Sequence, residues 1–143
     1  MSPQPPDDVR TAGVDSPAAA DALAAVDRII ADFGANRVDA YFAGFAPEAT
    51  FLFHAEPARL ESRAEYEGLW ASWVAASGFE VRGCRSTNRR LQVFGDIAVF
   101  SHDVDTTVHA DGELSDSHER ETIVMQLRDR AWVCVHEHLS LPS

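Results

Sequence analysis

The sequence predicts a single α+β domain in which N-terminal helices pack into the concave face of a curved antiparallel sheet. Two observations support this fold class. Helical patterns occupy the first half of the chain, and four long β-rich segments follow one another in the second half. Helices that precede a run of strands are typical of α+β domains. We therefore expect a disordered tail over residues 1–15 and one domain over residues 16–143.

Capping residues and apolar spacing predict three helices. The first begins at Pro17 and ends at Gly34, because Pro is favoured at the first helical position and Gly just after the last. A short second helix is expected over residues 37–43. Ser62 begins a capping box, which predicts a third helix over residues 63–77.

Short breaks between β-rich segments mark the strands. A first strand is expected over residues 49–54, before the third helix. Gly-Asp, Asp-Gly and Asp-Arg turns then separate four strands of a meander, over residues 79–94, 97–109, 116–128 and 131–140. Both alternating sets of residues in these strands are partly apolar. We therefore expect the helices to cover one face of the sheet and a second subunit to cover the other.

Composition and charge exclude several classes of function. The net charge of −11 disfavours binding to nucleic acid or to anionic membranes. No apolar run reaches the roughly 20 residues of a membrane helix. The N-terminus has no signal-peptide pattern, so a cytoplasmic protein is expected. The sequence contains no nucleotide-binding or metal-binding motif, so no cofactor is expected. Cys84 and Cys134 are expected to be buried free thiols.

Five segments of the chain match a known family. They are Val38–Tyr41, Ala49–Phe51, Gly95–Asp96, Glu121–Thr122 and Trp132–Ser140. The last of them, which ends in His-Glu-His-Leu-Ser, is the most specific. Over nearly the whole predicted domain, the chain resembles the nuclear-transport-factor-2-like superfamily, which includes SnoaL-type polyketide cyclases and ketosteroid isomerase. Within that superfamily, it is most similar to the association domain of calcium/calmodulin-dependent protein kinase II.

The resemblance implies a cone-shaped half-barrel of the cystatin-like type, with a deep pocket between helices and sheet. It also implies a homodimer, or a larger ring, formed through the outer face of the sheet. The arginines that line the pocket of the kinase association domains correspond here to Asp105, Ile123 and Leu139. The two carboxyl groups of ketosteroid isomerase correspond to Phe53 and Ile123. The chemistry of these relatives is therefore not expected to use the same positions in this chain.

Acidic residues are the main candidates for chemistry in the pocket. The resemblance implies that odd-numbered strand residues face it, which brings in Asp103, Asp105, Glu121 and Glu137. Carboxylates that crowd in a partly dry cavity hold protons more tightly, which suits a general acid or base. A site for a cationic ligand is a second functional interpretation. The alternative to both is that these acids lie at the rim and pair with arginines.

Other polar and aromatic residues complete the predicted site. His54 or Asp105 is the candidate base, and Tyr41 or Tyr66 is the candidate hydrogen-bond donor to an enolate oxygen. The alternatives are a histidine at the rim and tyrosines that belong to an ordinary core. The predicted apolar wall of the ligand pocket consists of Phe51, Phe53, Trp70, Trp73, Ile123 and Leu139. The alternative is that its four aromatic residues are ordinary core.

Even-numbered strand residues are expected on the outer face of the sheet. The predicted interface residues are Phe100, His102, Val104, Trp132, His136 and His138. His136 and His138 are two residues apart on one strand, as in some zinc sites. The sequence supplies no placed third ligand, so we expect no metal.

The leading interpretation is a SnoaL-like protein that binds an apolar, cyclic small molecule in its pocket. Cofactor-free isomerase, cyclase or dehydratase chemistry is the candidate activity. The alternative is a non-catalytic association module that works through its subunit interface. A large ring in solution would favour the module, and a dimer with a ligand in its pocket would favour the first interpretation.

Overall fold

In the described part of the chain, a six-stranded sheet forms one layer and three helices lie on its concave side. The computed structural model describes residues 10–12 and 17–142. The helices are α1 (Pro17–Gly34), α2 (Val38–Ala43) and α3 (Arg63–Ser77). The strands are β1 (Arg10–Ala12), β2 (Phe45–Phe53), β3 (Glu80–Phe94), β4 (Ile97–Ala110), β5 (Glu113–Arg128) and β6 (Ala131–Ser140).

The antiparallel meander is extended by one parallel strand at each edge. The strand order is β1-β3-β4-β5-β6-β2. Strands β3 to β6 form the predicted meander, β1 runs parallel to β3, and β2 runs parallel to β6. Strand β2 begins at Phe45, earlier than the sequence predicted. Most of the predicted tail over residues 1–15 lies outside the described residues, and the three residues that are described there form β1.

Three two-residue turns set the register of the meander. They are Gly95–Asp96, Asp111–Gly112 and Asp129–Arg130, and each joins directly paired strand ends. The middle turn has φ angles of 53° and 75°, as a type I′ turn requires. Each turn fixes which residues pair near it, and only bulges change that pairing farther along the strands.

Helix α1 packs closely on β3. A Cβ atom at Gly34 would lie 3.1 Å from the Cβ of Cys84, so a larger residue would push the helix away from the sheet. The left-handed residue after the helix is Asn36, with φ of 57°. Its side-chain oxygen accepts a hydrogen bond from the backbone N–H of Val81 at 3.0 Å. Gly34 therefore serves close packing, and Asn36 provides the turn that the sequence assigned to Gly34.

Helix α3 has the ends that the sequence predicted. The Oγ of Ser62 accepts a hydrogen bond from the backbone N–H of Glu65 at 3.2 Å. At the other end, Gly78 is left-handed, with φ of 66°. The helix buries Tyr66 and Trp70 against the sheet. No helix in the described part of the chain is both long and apolar enough to cross a membrane.

Strand β6 contains a β-bulge. Val124 of β5 pairs with His136, and the next residue, Met125, pairs with Cys134. Val135 is therefore an extra residue in β6. A bulge of this kind shifts the alternation of the side chains that follow it.

The bulge changes which residues of β6 face inward. Before it, Trp132 and Cys134 are buried against the helices. After it, Glu137 and Leu139 point inward, and His138 is exposed. The predicted interface position of Trp132 is therefore wrong, because this ring belongs to the core.

Strand β4 faces the opposite way from the prediction. The Asp-Gly turn pairs Phe100 with Ile123 and His102 with Glu121. Directly paired residues of antiparallel strands point to the same face. Phe100, His102 and Val104 are accordingly buried beneath the helices, so their predicted interface positions are wrong.

Candidate functional site

A cavity of about 410 Å³ lies between the helices and the sheet. Most of its wall is apolar: Ile29, Ile30, Phe33, Phe53, Ala55, Trp70, Trp73, Phe79, Val104, Val108, Ile123 and Leu139. Side chains with titratable or hydroxyl groups also line it: Tyr41, His54, Glu56, Tyr66, Ser77, Cys84, His102, Thr106, Ser117, Glu119, Glu121 and Glu137. Small-molecule sites commonly combine an apolar wall with a few polar groups.

Two carboxyl groups meet in the buried part of this cavity. Glu137 is only 2% exposed, and it pairs with Ile123, two residues along β5 from Glu121. Burial raises the pKa of Glu137 well above its ordinary value. The charge of Glu121 and a hydrogen bond between the two side chains raise this pKa further. Glu137 therefore keeps a proton at a pH where an exposed glutamate has lost it.

His102 holds Glu121 in place. The Nε2 atom of His102 lies 2.7 Å from Oε1 of Glu121, and its Nδ1 lies 2.6 Å from Oγ of Ser86. A carboxylate only accepts hydrogen bonds, so Nε2 carries a proton. Together with Glu137, these residues form a polar row with one member from each strand of the meander.

Two tyrosines form a second polar group in the cavity. The hydroxyl oxygens of Tyr41 and Tyr66 are 3.0 Å apart. Burial raises the pKa of both hydroxyls well above the ordinary value, and the charge of Glu137 raises it further. Both groups therefore remain protonated. One hydroxyl donates to the other, so one O–H proton is left to donate to a ligand.

A histidine–glutamate pair lies at the more open end of the cavity. Nε2 of His54 is 2.5 Å from Oε2 of Glu119. The side chain of His54 is 29% exposed and that of Glu119 is 16% exposed. His54 directly follows β2, and Glu119 lies on β5. The pair therefore links the segment after β2 to the middle of the sheet.

Most of the sequence-predicted site residues line the cavity. They are Tyr41, Phe53, His54, Tyr66, Trp70, Trp73, Glu121, Ile123, Glu137 and Leu139. Phe51 does not line it. Phe51 is fully buried, and its ring centroid lies 4.7 Å from that of Tyr66, so this residue belongs to the core.

Two predicted acids lie outside the cavity. Oδ1 of Asp105 is 2.5 Å from Nδ1 of His118, and the side chain of Asp105 is half exposed. Oδ2 of Asp103 accepts a hydrogen bond from the side chain of Asn88 at 3.3 Å. Both predicted pocket positions are wrong, because the odd-numbered residues of β4 point to the outer face. Asp105 therefore cannot serve as the base of this cavity.

Sequence reasoning missed His102 and Glu119 as cavity residues. The Asp-Gly turn could have placed His102, because a two-residue turn pairs it with Glu121. Glu119 could have been found by alternation, since it lies two residues from Glu121 on the same strand. Cys84 also lines the cavity, but burial raises its pKa to about 12, so its thiol is a poor nucleophile at neutral pH.

No metal site emerges from the described residues. Among them, no three His, Cys, Asp or Glu side chains come together in a way that could hold a metal ion. His136 and His138 point to the outer face, where the sequence predicted them, with ring centroids 6.4 Å apart. Nδ1 of His136 lies 2.8 Å from the hydroxyl of Thr50.

The chain belongs to the family of SnoaL-like domains, whose family model matches residues 22–143. This confirms the resemblance found in the sequence. A search of curated proteins found no match.

Solved structures share the fold at low sequence identity. A ketosteroid isomerase-like protein from Erwinia carotovora atroseptica has 15% identity and a TM-score of 0.73, over 89% of this chain and 98% of that chain. A nuclear transport factor 2 superfamily protein from Salmonella enterica has 17% identity and a TM-score of 0.70, over 84% and 87%. The CamKII hub homology domain of Chlamydomonas reinhardtii has 21% identity and a TM-score of 0.68, over 90% and 100%. These similarities establish the fold alone.

Replacing Glu137 by Gln is expected to stabilise the protein increasingly as the pH rises. The folded state raises the pKa of Glu137, so its stabilising effect is fully present below the ordinary glutamate value. That effect is lost as the pH rises towards the folded-state pKa, because the unfolded chain gains stability by ionising this carboxyl group while the folded protein keeps it protonated. Gln stays neutral throughout.

Urea unfolding from about pH 5 to about pH 8 measures this effect. The gain of Glu137→Gln over the wild type should grow by at most about 1.4 kcal/mol per pH unit. Glu113→Gln removes an exposed carboxyl group near the β4–β5 turn and controls for the lost charge. A gain for Glu137→Gln that does not change with pH would contradict the raised pKa.

Proposed function

We propose that the protein binds an apolar, cyclic small molecule in the cavity and moves a proton on it without a cofactor. The observation that carries this proposal is the Glu121–Glu137 pair inside a mainly apolar cavity. Such a pair combines a carboxylate that can accept a proton with a carboxyl group that can donate one. Membership of the SnoaL-like family is consistent with a ligand-binding or isomerase-type protein.

The proposed reaction begins with Glu121 as the base. Its carboxylate removes a proton from a carbon next to a carbonyl group, and the C–H electron pair forms an enolate. His102 holds the carboxylate in position, and the Tyr41–Tyr66 pair donates a hydrogen bond to the enolate oxygen. The protonated Glu137 then delivers a proton to another carbon. Transfer of the proton from Glu121 to Glu137 through their hydrogen bond restores the starting state.

This assignment replaces the bases expected from the sequence. Asp105 lies on the outer face, and the imidazole of His54 is held by Glu119 near the opening. Glu121 is more deeply placed and has a fully buried histidine partner. It is therefore the better candidate for a proton-abstracting group.

The apolar wall favours a flat ring system as the ligand. The ring centroids of Trp70 and Trp73 lie 6.2 Å apart, and the ring of Phe79 contacts both rings. A cavity of this size accepts roughly two or three fused rings. Aromatic side chains contact such rings over a large area without directional bonds.

Proton exchange on 2-tetralone, an enolisable bicyclic ketone, tests the proposed chemistry. We expect the protein in heavy water to accelerate the loss of the α-proton NMR signals over buffer. Glu121→Gln should lower this acceleration roughly 10²- to 10⁴-fold, the usual contribution of a general base. Glu113→Gln, which changes an exposed carboxyl group outside the cavity, should retain the wild-type rate. Equal exchange with wild type and Glu121→Gln, or no acceleration for any cyclic ketone that binds, would refute the proposal.

The outer face of the sheet supports a second proposal, that the protein associates with copies of itself. Val99 and Val124 pair directly, and both are partly exposed although they lie in the middle of the sheet. Val133 and Val135 of β6 are also partly exposed. A partner subunit would remove these valines from water. We infer a homodimer or a larger ring built on this face, which is also the surface that a pure association module would use.

Light scattering coupled to size-exclusion chromatography tests the association. Val124→Asp places a charge in the centre of the outer face and should convert the oligomer to a monomer. Val74→Asp changes a valine of α3 that is 46% exposed on the helical side of the sheet, away from the outer face, and should leave the oligomer intact. A wild-type protein that stays monomeric at high concentration would contradict the proposed self-association.

A further inference from the structure

The charged groups of the cavity are unbalanced. None of the described residues that line it is Lys or Arg, whereas four glutamates line it: Glu56, Glu119, Glu121 and Glu137. Among the described lining residues, the only basic side chains are His54 and His102, and each is already hydrogen-bonded to one of the glutamates. The cavity therefore offers several carboxyl oxygens and no strong cation to pair with them.

Three of the four glutamates, Glu119, Glu121 and Glu137, form a row from the opening to the interior, which we call the glutamate ladder. Glu119 and Glu121 lie on the same face of β5, about 7 Å apart along the strand. Glu119 is nearest the opening, where it meets the partly exposed His54. Glu137 is the most buried of the three. A ligand that enters from the opening therefore meets carboxyl groups along its whole length.

Aromatic rings form the opposite wall. Trp70 and Trp73 project from α3, and Phe33 projects from α1, whereas the glutamates project from the sheet. The faces of aromatic rings, and of indole above all, attract cations. A cation in this cavity would thus find favourable partners on both walls.

The charge of a ligand decides how it interacts with this cavity. A carboxylate ligand would bring a further negative charge next to the Glu121–Glu137 pair, which shares one proton, and none of the described lining residues is an arginine or lysine that could bind it. A neutral ligand would leave the carboxyl groups with only their histidine partners and the shared proton. An ammonium group would add a positive charge beside them and donate up to three hydrogen bonds to carboxyl oxygens.

We propose that the ligand is an organic cation, a flat apolar ring system that carries a protonated amine. The ring lies among the aromatic side chains, and the ammonium group binds the glutamate ladder. This inference deepens the proposed function by naming the ligand class. It relies on the cavity as the ligand site but not on proton transfer by Glu121.

Calorimetric titration with three probes of matched shape tests the ligand class. The probes are 2-(2-naphthyl)ethylamine, 2-(2-naphthyl)ethanol and 2-naphthylacetate, at neutral pH and constant ionic strength. We expect the amine to bind about tenfold more tightly than the alcohol, or better, and the carboxylate to bind most weakly. Alcohol affinity equal to or greater than amine affinity would overturn the inference, as would an amine that does not bind.

A variant in the ladder adds a control that does not depend on the proposed catalysis. Glu119→Gln should lower the ratio of amine to alcohol affinity at least severalfold and leave alcohol affinity unchanged, which verifies that the cavity is intact. An unchanged ratio would also overturn the inference. Proton exchange on 2-tetralone without tighter binding of the amine would refute the ligand class but not the proposed proton transfer. Tighter binding of the amine without proton exchange on any cyclic ketone would refute the proton transfer but not the ligand class.

Discussion

The register of the meander decides which side chains enter the cavity. Opposed residues of antiparallel strands share a face, so the Asp111–Gly112 turn puts His102 and Glu121 side by side beneath the helices. A turn that shifted this pairing by one residue would give these two side chains opposite faces. The hydrogen bond that holds Glu121 thus depends on a turn at the far end of both strands.

The bulge in β6 supplies the second carboxyl group. Cys134 points inward, so regular alternation would have sent His136 into the cavity and Glu137 to the outer face. The extra residue, Val135, reverses this order and brings Glu137 beside Glu121. Bulges occur often next to functional sites, where they redirect a side chain. Here the bulge creates the proton-sharing pair, at the expense of burying an ionisable group among aromatic rings.

Local signals were enough to predict most of the fold, and only part of the site. Caps and turn residues have direct physical effects on the backbone, so the helices and the meander were predictable from them. The orientation of the β4 side chains was also predictable, because a two-residue turn pairs even-numbered residues of β4 with odd-numbered residues of β5. The bulge was not predictable, since Val135 lies in an ordinary alternating segment. The parallel addition of β1 and β2 depends on tertiary contacts that leave no local pattern.

Above all, the proposed chemistry requires Glu137 to hold a proton inside the cavity at a pH where an exposed glutamate has lost it. Infrared difference spectroscopy between the wild type and Glu137→Gln in heavy water measures this directly. We expect the wild type to contain the carbonyl stretch of one protonated carboxylic acid that the variant lacks. A difference spectrum that contains only the bands of an ionised carboxylate would contradict the shared-proton pair.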